Sequence, residues 1–279
     1  MSAPVIAFLG TGSMNGSILD GVLAGGADPS AVRATTRSAT SAQRLAAEHP
    51  EITVLGGEDD ERANLRAVDG ADIVLLGVKP KGIQDLAASL AEALDPSTVV
   101  LSVAAGIDVA MLEQELPEGQ PVVRSMPNTP SSVGRGVIAL VPGTHAGEEA
   151  LGLAKDVLRH SGTVLEVSED QIGAITGVSG SGPAYAFFFA EALQQAGQAL
   201  GLDEQTARLV AKETLAGAGE LLHADDADPA ALREAVTSPG GTTEQALKVF
   251  AEGGLVELTE KAVRASAEKG AAMEEQFRR

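Results

Sequence analysis

A chain of 279 residues is long enough for two domains, and a hydrophobic content of 44% excludes a disordered polypeptide. A formal charge of −19 argues against nucleic acid or an anionic membrane as a partner, because both are held by clustered Lys and Arg. With no cysteine, disulfides and thiolate metal ligation are excluded, no metal site is expected, and a cytoplasmic location is.

The core must be aliphatic, because the sequence has no Trp, one Tyr and six Phe. No window reaches the ~18 consecutive apolar residues that a membrane span needs. The opening residues MSAPVIAFLGTGS lack the basic start and apolar stretch of a secretory signal and lead straight into a strand-like segment.

The first ~165 residues alternate short apolar runs with amphipathic stretches, the pattern of βα units and a mostly parallel sheet. Strands are expected at Val5–Leu9, Ala31–Thr35, Thr53–Leu55, Ile73–Val78, Val99–Val103, Val122–Ser125, Val137–Val141 and Val164–Val167. Helices are expected between them, for example at Gly16–Leu23, Gln84–Ala93 and Glu148–Arg159. From Glu169 the strand pattern stops and alanine- and leucine-rich helical stretches take over. The expected plan is α/β: a Rossmann-like dinucleotide-binding domain over 1–167, then an all-helical substrate and dimerisation domain over 168–279.

Within the helical half, Pro183 is placed as the first residue of a helix, where its missing N–H costs nothing. Gly201 suits the position just past that helix, and Asp203 caps the next, which runs towards His223. Phe187, Phe188 and Phe189 stand side by side, and three consecutive residues cover most of a helix circumference. Two readings fit: a helix central to a monomeric bundle, or one shared with a second subunit.

Val5–Leu9 leads directly into Gly10-Thr11-Gly12-Ser13-Met14-Asn15-Gly16 and then an apolar helix, the context in which glycine turns bind dinucleotides. Gly10 permits the tight turn and Gly12 lets backbone approach a pyrophosphate. The free N–H groups of Ser13, Met14 and their neighbours at the helix start then hold the anion. The third glycine of the usual fingerprint is replaced by Asn15. The end of the second strand, Thr35-Thr36-Arg37-Ser38, carries no carboxylate to hold ribose hydroxyls. Its hydroxyls and arginine suit a 2′-phosphate instead, so NADPH is the expected cofactor and NADH the alternative.

Several further blocks occur in a fixed order: Asn64 ahead of Ala71-Asp72-Ile73-Val74-Leu75-Leu76-Gly77-Val78-Lys79-Pro80, then Ser102-Val103-Ala104-Ala105-Gly106, then Arg124-Ser125-Met126-Pro127-Asn128-Thr129-Pro130. Ser179-Gly180-Ser181-Gly182-Pro183-Ala184-Tyr185 and Thr237-Ser238-Pro239-Gly240-Gly241-Thr242-Thr243 follow. Together with the glycine turn, and apart from Asn15, this series resembles the pyrroline-5-carboxylate reductase family over almost the whole chain. The resemblance implies NAD(P)H-dependent reduction of 1-pyrroline-5-carboxylate to L-proline, the last step of proline biosynthesis. It also implies a homodimer intertwined through the helical domain, which often assembles further to a decamer.

By the same resemblance, Thr11, Thr36, Arg37, Asn64, Val78, Lys79, Pro80, Ala104, Ala105 and Gly106 join Gly10–Met14 around the cofactor, with Asn64 at the adenosine ribose. The threonine in the position of Thr243 bonds the ring nitrogen and is the expected catalytic residue. Ser238, Gly240, Gly241 and Thr242 complete the substrate segment, where glycines before a helix start offer N–H groups to a carboxylate. Thr242 and Gln245 have capping-box spacing, which leaves Thr243 as the better functional hydroxyl.

Competing readings remain. β-Hydroxyacid dehydrogenases share the glycine turn and the helical dimer, but use a lysine on the helix that opens the second domain. No lysine occurs from Glu169 to Leu200. Reduction of a six-membered cyclic imine is not excluded. A non-catalytic NADPH-binding scaffold predicts a damaged substrate segment, and Ser238–Thr243 is intact.

Overall fold

A computed structural model describes residues 3–278; Met1, Ser2 and Arg279, at the ends of the two expected domains, lie outside the described residues. Eight strands form one sheet: β1 (Ile6–Leu9), β2 (Val32–Thr36), β3 (Thr53–Gly56), β4 (Ile73–Leu76), β5 (Val99–Ser102), β6 (Val122–Met126), β7 (Gly136–Pro142) and β8 (Gly162–Glu166). Each expected strand is present, shifted by one or two residues at its ends.

The sheet order is β3-β2-β1-β4-β5-β6-β7-β8. Neighbours are parallel except β6 and β7, which are antiparallel. The order reverses at β1, since the chain builds outward to β3 and then returns to lay β4 on the other side. Ligands of open parallel sheets bind at such a reversal, beyond the carboxyl ends of the strands.

Alternation along the strands supplies both faces of the sheet. Ile6 and Phe8 point into a core shared with Ile18, Leu19 and Val22 of α1 (Ser13–Ala24) and with Leu151, Ala154 and Leu158 of α6 (Glu148–Leu158). Ala7 and Leu9 point the other way, into a core with Ile83, Leu86 and Leu90 of α4 (Ile83–Leu90) and with Met111 and Leu112 of α5 (Val109–Glu113). The central strands β1, β4 and β5 are nearly unbroken apolar runs because both faces are covered, every residue of each being buried. Two further helices, α2 (Ala39–Glu48) and α3 (Ala63–Val68), follow β2 and β3.

The chain divides into two compact units: residues up to Gly180 together with those from Ser266 onward, and residues from Ser181 to Ala265. This division departs from the expected boundary at 167/168 in two ways. The stretch after β8 packs on the sheet, since Ile172 of α7 (Ile172–Ile175) is buried in a cluster with Met126, Ala139 and Val141. Asn128 holds the stretch too, donating from Nδ2 to Ser179 O at 2.9 Å while its Oδ1 accepts from Val137 N–H at 2.9 Å. The end of the final helix also returns to the first unit, through Arg124. That guanidinium, only 2% exposed, pairs with Glu169 and with Glu274, the latter at 3.3 Å. Burial raises the Glu169 carboxyl above its ordinary pKa, against the opposing pull of Arg124.

The second unit is helical: α8 (Gly182–Ala199), α9 (Glu204–Leu222), α10 (Pro229–Ala235), α11 (Thr242–Glu252) and the first part of α12 (Leu255–Phe277). Pro183 is the second helical residue rather than the first, a position at which the N–H is equally unneeded. Gly201 follows α8 as expected, and Asp203 caps α9 by accepting from Thr206 N–H at 3.0 Å.

Alanines allow α9 to approach α8 closely: Ala207 and Ala211 are buried, and a β-carbon on Gly197 would stand 3.5 Å from Ala207 Cβ. Large apolar side chains nevertheless stay exposed here, with Phe187 at 69% and Phe188 at 72%, while Phe189 stacks on Phe250 at 6.0 Å between ring centroids. Among the described residues, no helix is long and apolar enough to cross a membrane.

Candidate active site

The glycine turn lies where the sheet order reverses. Gly10 adopts φ +71°, which an L side chain resists. A β-carbon there would also stand 2.4 Å from Val78 Cγ1, so Gly10 is fixed both by its turn and by the chain end of β4. Gly12 is the opposite case, with open space where a side chain would be. Helix α1 begins at Ser13, three residues earlier than its apolar pattern indicated, and no side chain caps it. Its first N–H groups therefore face the opening beside Gly12, with the positive end of the helix dipole behind them.

Asn15 replaces the third glycine without opening a gap. It is 1% exposed, and its Nδ2 donates to Leu9 O at 3.2 Å and to Leu75 O at 3.3 Å, tying α1 to the ends of β1 and β4. Space for the larger side chain comes from Gly77, where a β-carbon would stand 2.1 Å from Asn15 Nδ2. The usual fingerprint is inverted here: the small residue sits on the strand side and the larger one on the helix.

The end of β2 is more committed than its sequence indicates. Thr35 Oγ1 donates to Asn64 Oδ1 at 2.7 Å and accepts from Gly10 N–H at 3.2 Å. Thr36 Oγ1 donates to Ser38 O at 3.1 Å, and Ser38 caps α2 by accepting from Ser41 N–H at 3.2 Å. Of this group only Arg37 points freely to solvent, and none of the described ion pairs includes it. Glu58 lies nearby, accepting from Ala39 N–H at 3.0 Å. Thr35, read from the sequence only among the hydroxyls suited to a 2′-phosphate, supports the glycine turn instead, a role that was hidden because its partner Asn64 lies far along the chain.

Beyond β4, Lys79 is exposed and Pro80 turns the chain out of the sheet. Beyond β5, Ala104 is buried and its N–H bonds Ser102 Oγ at 3.3 Å, followed by Ala105 and Gly106. Residues 10–14, 36–37, 64, 78–80 and 104–106 are thus gathered by strands β1, β2, β4 and β5 and by the segment after β3 at one edge of one sheet.

The segment Ser238–Thr243 belongs to the second unit. The expected capping box between Thr242 and Gln245 is not formed, because α11 already starts at Thr242 with Gly241 as its uncapped N-cap. Glu244 takes the reach-back role, accepting from Gly240 N–H at 2.8 Å. The elimination that favoured Thr243 over Thr242 therefore lapses, although Thr243 is half-buried and Thr242 exposed.

A pyrroline-5-carboxylate reductase from Pseudomonas aeruginosa is 38% identical over 278 residues, covering 99% of both chains. The chain belongs to the pyrroline-5-carboxylate reductase family. The enzyme of that name from Corynebacterium melassecola is also 38% identical, over 95% of this chain and 96% of its own. The solved pyrroline-5-carboxylate reductase structure from Coxiella burnetii matches with a TM-score of 0.90 and 36% identity, covering 98% of this chain and 99% of that one. Residues 169–273 match the family described as pyrroline-5-carboxylate reductase dimerisation. Residues 5–106 match that described as NADP oxidoreductase, coenzyme F420-dependent. As a pyrroline-5-carboxylate reductase family member, the chain combines a dinucleotide-binding α/β domain with a helical dimerisation domain.

Thr35→Val keeps the shape of this site but leaves Gly10 N–H and Asn64 Oδ1 without their partner, at about 1–2 kcal/mol. NADPH should bind ~5–30-fold more weakly by fluorescence titration. Unchanged affinity would remove Thr35 from the support of the glycine turn.

Proposed function

We infer that the chain reduces 1-pyrroline-5-carboxylate to L-proline with NADPH, with NADH as a lesser donor. What carries this reading is the full-length likeness to the Pseudomonas reductase, joined to an intact glycine turn and an intact Ser238–Thr243 segment. NADPH supplies the hydride when bound. The site fits it: the uncapped start of α1 and the open face of Gly12 suit the pyrophosphate, and the exposed Arg37 suits the 2′-phosphate.

Gly10, Thr11, Gly12, Ser13 and Met14 hold the phosphates in this reading. Thr36, Arg37 and Asn64 take the adenosine ribose end, and Val78, Lys79, Pro80, Ala104, Ala105 and Gly106 take the nicotinamide end. Domain roles follow residues 1–167 for cofactor and 168–279 for substrate and dimer. Ser238, Gly240, Gly241 and Thr242 form the substrate segment. The N–H groups of Gly240 and Gly241 are already taken by Glu244 Oε2 and Ser238 O, so the carboxylate is met by the N–H groups that open α11, and Thr243 holds the ring nitrogen.

Hydride adds to the imine carbon, the C=N π pair moves to nitrogen, and nitrogen takes a proton to become the proline amine. An imine is already electrophilic, so little acid strength is needed. A threonine hydroxyl is a weak acid, and Thr243 therefore orients the nitrogen and relays a proton from water. Holding the reactants in place supplies much of the rate, up to ~7–11 kcal/mol in ideal cases.

The exposed Phe187, Phe188 and Val256 form part of the dimer surface, since they are large apolar side chains left exposed on the stretch that matches the dimerisation family. Dimers assemble further to a decamer, in the cytoplasm.

The direct test is loss of NADPH absorbance with 1-pyrroline-5-carboxylate, run beside NADH; a protein that binds NADPH but turns over neither mixture contradicts the assignment. Thr243→Ala should lower kcat by ~10–100-fold with little change in NADPH affinity, the scale of a lost hydrogen bond made at the reacting atom. Arg37→Ala should raise KM for NADPH by ~10-fold and leave KM for NADH unchanged. Equal effects on both coenzymes would refute a 2′-phosphate contact.

A further inference from the structure

Helix α12 leaves the second unit after Ala265, and its last turn packs in the first. Glu274 and Phe277 of that turn, and Arg278 immediately after it, follow one another at spacings of three and four residues from Glu274. Each holds a different part of the carboxyl edge of the sheet. Glu274 Oε2 accepts from Nη1 and Nη2 of the buried Arg124, at 3.3 Å each. Arg278 Nη2 donates to Asp108 Oδ2 at 2.9 Å, while Asp108 Oδ1 caps α5 by accepting from Met111 N–H at 2.7 Å. Between these two anchors the Phe277 ring packs against the core that includes Ala104 and Ile107, and lies 3.5 Å from the place of a β-carbon on Gly106.

The clamp is braced from a second side. Arg124 also donates to Glu169, in the stretch after β8, so the group that holds Glu274 is itself held. Both ends of the segment between β5 and α5 are therefore fixed, the start by β5 and the end by Asp108. Its middle, Ala104-Ala105-Gly106, rests on Phe277. Gly106 sits at φ +77°, a conformation that few other residues would keep unaided.

The sheet order gives this segment its role. In a dinucleotide site the end of β2 reads the adenosine ribose and the start of α1 takes the pyrophosphate. The molecule then continues across the reversal point towards β4 and β5, so Ala104–Gly106 lies on the nicotinamide side.

We propose that the last turn of α12 is a positioning element for the nicotinamide half of the coenzyme, acting through the contact of Phe277 with the Ala104–Gly106 segment. This rests on the reading of the glycine turn as an NADPH site. It adds residues beyond the stretch that matches the dimerisation family, which ends at residue 273.

The test is calorimetric titration of the full chain with NADPH and, separately, with 2′,5′-ADP, which carries only the adenosine half. Phe277→Ala should weaken NADPH about 10-fold and leave 2′,5′-ADP unchanged, and Phe277→Leu should recover most of the loss. Weakening of both ligands alike, or of neither, overturns the proposal. Arg278→Gln, on a half-exposed side chain, provides a milder variant should Phe277→Ala not fold; it should weaken NADPH about 3-fold with the same selectivity, and an unselective effect counts against the clamp. Wild-type protein that binds neither ligand would instead refute the underlying cofactor reading.

Discussion

How closely α1 approaches the ends of β1 and β4 decides whether the rest of this edge of the sheet can work. In the proposed site a pyrophosphate is held by backbone N–H groups, whose reach is a single hydrogen bond, so a displacement of one ångström at the helix start is costly. Asn15 sets that approach with two bonds from one amide, to Leu9 O and Leu75 O, inside a space that exists because residue 77 has no side chain. The arrangement is tight and not fully satisfied, since Asn15 Oδ1 is buried without a described hydrogen-bond partner. An orphaned acceptor of this kind costs about 1–3 kcal/mol, which the packing of α1 against the sheet must offset.

The same device explains how a chain of charge −19 can hold a polyanion. Peptide dipoles and unpaired N–H groups are fixed partial charges that do not depend on net charge. Side-chain cations are then needed only where backbone cannot reach. Under the proposed reading Arg37 at the end of β2 is one such place and Lys79 beyond β4 another, and both are exposed. The hydroxyls beside Arg37 serve the loop itself, with Thr35 supporting Gly10 and Asn64, and Ser38 capping α2.

Much of this was legible in the sequence. The central strands are near-continuous apolar runs and the outer ones short β-branched stretches between turn residues, so the described strands could be placed. The glycine turn pointed to a candidate site because it follows the first strand directly. What escaped were pairings between distant positions. Nothing local links Asn15 to Gly77 or Thr35 to Asn64. The final turn, Glu274-Glu275-Gln276-Phe277-Arg278, reads as a solvated helix end, and Glu274 with Arg278 looks like a self-sufficient pair four residues apart. The structure does keep that pair, at 3.6 Å, yet each residue also bonds a buried partner, Arg124 on β6 and Asp108 at the start of α5. Thr242 shows the converse error. Its spacing to Gln245 was correct for a cap, but the helix began one residue too early for it to serve, and Glu244 turned back to Gly240 instead.

The measurement that bears most directly on this account is the NADPH dissociation constant of Gly77→Ala, alone and combined with Asn15→Gly. A methyl group at position 77 must push Asn15 and the start of α1 outward, an overpacking cost of about 1–3 kcal/mol, so the single variant should bind NADPH ~5–150-fold more weakly if that cost falls on the bound site. Removing the Asn15 side chain in the same molecule should restore most of that affinity, because the helix can then settle on the usual small-residue contact. Wild-type affinity in Gly77→Ala, or a double variant no better than the single, would contradict the claim that this one packing distance sets the cofactor site.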